Sequence, residues 1–172
     1  MVGEEMATVF RAHGFRVIHD TNLYDYPSYS GAYDRSAAAV KNWLEQYPSI
    51  SIVLDVHRDA LSDEAGQPYR LVTTEVGRDC AQVMLVVGTN QNGRHPEWEK
   101  NLVVATAYKD TMDALYPSLS RSVYLRTARF NQECLPGCML LEVGSAVNSL
   151  EEACTAARFA ASAFASLLES KQ

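Results

Sequence analysis

Ile50-Ser51-Ile52-Val53-Leu54-Asp55-Val56 is a nearly continuous apolar run of strand length, followed at once by His57-Arg58-Asp59-Ala60. So little alternation fits a strand covered on both faces, as in a parallel sheet. The segments on either side switch repeatedly between helical and strand periodicity. The pattern predicts an α/β domain spanning residues 1–172, with a mostly parallel or mixed sheet flanked by helices.

Upstream, Val2, Met6, Val9 and Phe10 recur at helical spacing, and Gly14 is placed to end that helix in a left-handed cap. Phe15-Arg16-Val17-Ile18 reads as a short strand, and the stretch from Tyr24 to Gly31 as a loop. Tyr33, Ala37, Val40, Leu44 and Tyr47 form one face of a second helix that Pro48 closes. The chain opens almost inside its first helix, with no N-cap residue and no strand ahead of it. The expectation is a fold cut at its N-terminal end, lacking a first strand.

Downstream, Tyr69 to Val76 and Ala81 to Val87 are expected as strands, with Gly77-Arg78-Asp79 as the hairpin turn. His95-Pro96 precedes a long helix with Trp98, Leu102, Ala105, Met112 and Leu115 at core spacing. Val123 to Leu125 and Cys138 to Leu141 are the last strands. Asn148 with Glu151, or Ser149 with Glu152, makes a capping box for a final helix whose apolar face is Leu150, Ala153, Ala157, Ala160, Phe164 and Leu167.

Composition narrows the function. A net charge of −6 argues against the phosphate attraction that nucleic-acid binders rely on. No apolar run approaches the ~18–20 residues of a membrane span, and Met1-Val2-Gly3-Glu4-Glu5-Met6 lacks the basic start and apolar middle of a secretory signal. The 4 cysteines do not make a disulfide scaffold at this length, and Cys134 with Cys138 has no second ligand pair for a structural zinc. Buried thiols acting as small apolar side chains are expected.

Two polar positions stand out by placement. His57 follows directly on the strand ending at Val56, and Glu142 on Met139-Leu140-Leu141. In open α/β sheets ligands gather outside the carboxyl ends of strands, so the two side chains can converge on one substrate. An imidazole is the commonest metal ligand, and a nearby carboxylate can take a proton from water and return it to a leaving amine. Asp55 is on the same side as His57 and suits a partner that orients the ring. Each residue alone also has a plain structural reading: a hydrogen-bonded strand-end histidine, a solvated glutamate, a local Arg58–Asp59 ion pair. His13, His19 and His95 read as solvent-facing or capping, and Tyr24, Tyr26, Tyr29 and Tyr33 as loop packing before sugar stacking.

Several strings together resemble the stage II sporulation protein P family. They include Val17-Ile18-His19-Asp20, Asp25-Tyr26-Pro27-Ser28-Tyr29, Gly31-Ala32-Tyr33-Asp34-Arg35-Ser36 and Leu54-Asp55-Val56-His57-Arg58-Asp59-Ala60. Pro96-Glu97-Trp98-Glu99-Lys100-Asn101-Leu102, Phe130-Asn131-Gln132 and Leu140-Leu141-Glu142-Val143-Gly144-Ser145 continue the pattern in order. The resemblance implies the fold of the zinc N-acetylmuramoyl-L-alanine amidases. It also implies cleavage of the bond between muramic acid and the stem peptide of peptidoglycan, with cuts at peptide cross-links in some members. The setting it implies is the cell envelope, in the intermembrane space of the sporangium during engulfment, with a lytic transglycosylase as partner. By motif, His57 is then a ligand of Zn2+ and Glu142 the catalytic carboxylate, while Arg58, Asn131 and Gln132 take no definite role.

One feature departs from the family. Its members carry a His-Thr-His-Thr-type segment and a glutamate upstream of the first helix, and this sequence begins after that point. A catalytic zinc usually takes three protein ligands, and His57 is one. Two expectations follow from different classes: a working amidase of which this is the C-terminal portion, or a catalytically inactive module that binds peptidoglycan or a partner. A phosphatase built on His57 and Asp59 lacks any phosphate-binding loop.

Overall fold

The computed structural model describes residues 1–90 and 93–171. Four strands make the central sheet: β1 (Val53–Asp59), β4 (Val83–Gly88), β5 (Tyr124–Arg126) and β6 (Cys138–Ser145), in the order β1-β6-β4-β5. β1 runs parallel to β6, β6 antiparallel to β4, and β4 parallel to β5. The sheet is therefore mixed. The expected apolar strand is present, but it lies at the sheet's edge and every residue of it is half-buried.

β2 (Val72–Glu75) and β3 (Arg78–Ala81) form a separate antiparallel hairpin. The expected Gly77–Asp79 turn is corrected here. The turn residues are Val76 and Gly77, with φ of 51° and 72°, and Arg78 already pairs with Glu75. Two consecutive left-handed residues give the tight turn whose twist matches that of its strands. Phe15 to Ile18, expected as a strand, forms no ladder.

Among the described residues four α-helices complete the fold: α1 (Val2–Ala12), α2 (Ala32–Gln46), α3 (Trp98–Leu115) and α4 (Leu150–Glu169). Gly14 closes α1 at φ 82° as expected, with Phe15 N donating to Phe10 O at 3.0 Å. Of the two capping boxes, Ser149 with Glu152 is the one that forms: Glu152 N donates to Ser149 Oγ at 3.1 Å and Ser149 N to Glu152 Oε2 at 3.0 Å.

Strand alternation divides the sheet into two unlike faces. Leu54, Val56, Met139, Leu141, Val143, Val83, Leu85 and Val87 face the main core, where α1, α3 and α4 cover them. α4 does this with alanines, Ala153, Ala156, Ala157, Ala160, Ala161, Ala163 and Ala165 all being buried. Small side chains let the helices approach closely, and Phe164 fills the remaining volume against Tyr108 with ring centroids 4.4 Å apart. The Tyr108 hydroxyl donates to Ala160 O at 2.9 Å, so this fully buried phenol leaves no donor unmet. The other face carries a much smaller apolar cluster of Met84, Val86 and Leu140 with Phe130. α2, the helix nearest in sequence to that side, has no fully buried residue. A thinly covered sheet face is where polar side chains remain accessible.

Candidate active site

His57 and Glu142 are directly paired positions on β1 and β6, and Asp55 pairs with Leu140. In-register neighbours share a face, so Asp55, His57 and Glu142 all project from the thinly covered side. The two expected site residues are thus brought together, by a route other than the one expected. Glu142 does not follow a strand. It sits inside β6, which continues to Ser145, so the carboxylate is carried by the sheet itself.

His57 Nε2 lies 2.8 Å from Asp55 Oδ1, with both side chains 41% exposed. The hydrogen bond to Asp55 holds the imidazole above its ordinary value, burial opposing it and the Asp55 and Glu142 charges adding to the rise. Burial pushes the Glu142 carboxyl up to about 6, with His57 pulling it back and Asp59 and Asp55 adding to the rise. Glu142 Oε2 is shielded from solvent and accepts no hydrogen bond from any described residue. Burial and two neighbouring acids explain why this carboxyl loses its proton closer to neutrality than an ordinary glutamate does. Such a group is tuned for proton transfer.

β1 ends irregularly just beyond the pair. The register shifts between His57 and Asp59, where Arg58 of β1 stands opposite two residues of β6, Val143 and Gly144, so the bulge lies on β6. The expected Arg58–Asp59 ion pair is absent among the described residues. Arg58 Nη2 instead donates to Ser145 O and Asn148 O, both at 2.5 Å, and Nε to Ser145 O at 3.0 Å. Asp59 pairs with Arg121 at 2.8 Å. Arg58 thus clamps the turn between β6 and α4. Gly144 lies within β6 just ahead of that turn, at φ 68°, and a Cβ there would meet the Ala81 Cβ at 2.6 Å. A cleft of about 150 Å³ opens beyond β1, lined by Asp59, Leu61, Pro68, Ser145 and Val147 among others.

The opposite wall is aromatic. Tyr33, at the start of α2, stands 5.7 Å from Phe130 in an edge-on arrangement. Its phenol is pushed upward by burial and then by the charges of Asp55, Tyr29 and Glu142. Asn131 Nδ2 holds this wall, donating to Tyr33 O at 3.0 Å and Ser36 Oγ at 2.8 Å. Gln132 is buried and completes the backbone of β4, accepting from Gly88 N at 2.9 Å and donating to Val86 O at 2.8 Å. Both residues therefore have structural work. No local sequence signal marks Arg121 or Phe130 as neighbours of the site, because each arrives from a distant segment.

The other histidines lie elsewhere. His13 meets Glu169 at 2.8 Å and His19 meets Glu4 at 2.6 Å on the surface. His95, expected to be solvent-facing or capping, is buried, its Nε2 lying 3.2 Å from Asn101 Oδ1. Cys80, Cys138 and Cys154 are buried as expected and Cys134 is half-buried, all four as free thiols. Among the described residues no group of three or more His, Cys, Asp or Glu side chains is arranged to hold a metal ion. The donors on this face therefore do not by themselves fit a zinc site, for Asp55 is engaged with His57 Nε2 and no three of them converge. Among the described residues no helix is long and apolar enough to cross a membrane.

Compared with known proteins, the chain matches the family model for Stage II sporulation protein P (SpoIIP) over residues 1–165. The chain belongs to the stage II sporulation protein P family. A curated relative, Stage II sporulation protein P of Bacillus subtilis (strain 168), is 29% identical over 145 residues, covering 81% of this chain and 34% of the relative. The chain thus spans about a third of that relative's length. No solved structure matches it. Within the family match lie Asp55, His57 and Glu142, and the Tyr33–Phe130 wall beside them.

Proposed function

We propose that the protein is a peptidoglycan hydrolase of sporulation, cleaving the amide between N-acetylmuramic acid and the L-alanine of the stem peptide. The observation that carries this reading is the pairing of His57 with Glu142, whose carboxyl titrates near 6 on an accessible sheet face. Ionised, Glu142 takes a proton from an attacking water; protonated, it returns that proton to the departing alanine amine. Asp55 fixes the His57 ring by holding Nε2, leaving Nδ1 as the free ring nitrogen. The amidase-like fold, a setting in the cell envelope during engulfment, action on peptide cross-links and a lytic transglycosylase partner all belong to this reading through the family.

Zinc belongs to the reading as well, with His57 as the donor these residues offer. The described residues leave its usual three-ligand set incomplete, so the remaining donors would come from outside them. That same incompleteness favours a second reading, a module that binds peptidoglycan or a partner without turnover.

Product analysis of digested sacculi separates the two. In a version that carries the full set of zinc donors, the hydrolase releases stem peptides with a free L-alanine amine and peptide-free glycan, and Glu142→Gln abolishes release while bound zinc, measured by elemental analysis, is unchanged. Turnover retained by Glu142→Gln refutes the role of that carboxylate. Sacculus binding with no product from the wild-type protein establishes the binding module instead.

A further inference from the structure

The loop between Asp20 and Gly31 turns Leu23, Tyr26 and Tyr29 to solvent at 77%, 74% and 78% exposure. Large apolar side chains grouped this way on a surface mark a contact site. The loop is firmly held. Asp20 Oδ2 accepts from the Tyr24 hydroxyl at 2.6 Å and from Trp43 Nε1 at 2.9 Å, while Oδ1 accepts from Asn22 N at 2.9 Å. Arg35 reaches in from α2 and donates to Tyr24 O at 2.8 Å, to Ser30 O at 3.2 Å and to Ser28 O. The exposed rings therefore stand on a frame that binding does not have to order.

The loop also leads to the candidate site. Tyr29 O accepts from Ala32 N at 3.0 Å at the entry to α2, and Tyr33 follows one turn on. Tyr33 meets Phe130, and Phe130 packs on Met84, Val86 and Leu140. Those three share the sheet face of Asp55, His57 and Glu142. The loop thus leads, through the entry to α2 and the Tyr33–Phe130 pair, onto the apolar cluster that shares a sheet face with the acids.

The chemistry of the tip selects its occupant. A phenol has a flat apolar face and a hydroxyl edge. A pyranose ring has the same division, C–H groups on its faces and hydroxyls around its rim. Asp25 and Asp34 are exposed nearby, and the one cation among them, Arg35, is spent on backbone carbonyls. An anionic membrane surface is attracted by free basic side chains, which this tip does not offer.

We infer that the Asp20–Gly31 loop is a glycan-binding platform on which Tyr26 and Tyr29 stack the sugar chain of the substrate, feeding it along Tyr33 toward the Asp55–His57–Glu142 face. The identity of that chain as the peptidoglycan glycan rests on the function proposed above; the stacking itself does not.

The test is calorimetric titration of the protein with neutral β-1,4-linked oligomers of N-acetylglucosamine, which present the sugar rings of such a glycan without lactyl carboxylates. These hold no amide to a stem peptide, so the outcome does not depend on turnover. The Tyr26→Ala, Tyr29→Ala double variant binds about tenfold more weakly or worse, and the corresponding double Phe variant stays within about twofold of wild type. Unchanged thermal melting certifies both, since the rings are solvent-exposed. Glycan affinity unaltered in the alanine variant overturns the platform, even if sacculi are still digested. So does a wild-type protein that ignores the glycan while its tip holds anionic vesicles or another protein.

Discussion

His57 and Glu142 are neighbours across a parallel strand pair, in register on β1 and β6. Their separation is set by the sheet's hydrogen bonds, with no loop in between. The geometry of the pair is therefore as stiff as the backbone that carries it.

The raised Glu142 carboxyl makes stability depend on pH. Its folded value near 6 lies above the ordinary 4.5, so the folded state binds this proton more tightly. That stabilisation is complete below about pH 4.5 and is lost as pH rises through about 6. Glu142→Gln, which cannot ionise, is accordingly more stable than wild type by about 1–2 kcal/mol at about pH 8 and indistinguishable at about pH 4. Urea unfolding at the two pH values checks this.

Gly144→Ala meets two obstacles at once, the left-handed φ and the Ala81 and Asn148 atoms at 2.6 and 2.9 Å. We expect a loss of about 2–4 kcal/mol, since neither backbone nor neighbour can yield cheaply. Thermal melting measures the loss, and a change below about 1 kcal/mol contradicts it.

Asn101 is buried in α3 and gathers three backbone carbonyls on its amide: Gln132 O and Leu135 O at 3.0 Å and Cys138 O at 2.9 Å. Asn101→Leu keeps the volume and strands those acceptors, costing about 2–4 kcal/mol. Hydrogen exchange localises the damage to the segment from Asn131 to Cys138, where protection falls first. Uniform loss of protection would place the role of Asn101 elsewhere.

The fork of Arg58 reaches Ser145 O and Asn148 O together, which an ammonium cannot reproduce. Arg58→Lys is expected to lose about 1–3 kcal/mol while retaining the far-ultraviolet circular dichroism of the folded chain. If melting is unchanged, the clamp at the β6–α4 turn is not held by this residue.

Much of the architecture was legible because it is local. The run from Ile50 to Val56, the stop at Gly14 and the Ser149–Glu152 box each rest on residues close in sequence. The Val76-Gly77 turn was missed because a β-branched residue rarely takes a left-handed φ, so Gly77 alone drew the turn one place too late. Glu142 looked like a strand terminus because the apolar run stops at Leu141. The strand goes on because its other face still has Val143 to bury. His95 looked exposed for want of a partner nearby, yet Asn101, a turn into α3, supplies one. Arg121 and Tyr33 reach the site only through tertiary packing, which single-sequence spacing does not encode.

The two-faced division of β6 has a consequence for how this protein can change over time. Leu141 and Val143 serve the core while Leu140 and Glu142 serve the other side, so substitutions on either face are independent of the other. A single-residue insertion or deletion within the strand is another matter. It would turn the acid into the core and a leucine into its place, destroying both functions in one step. Length variation among descendants is therefore barred from β6, and falls to surface connections outside the sheet.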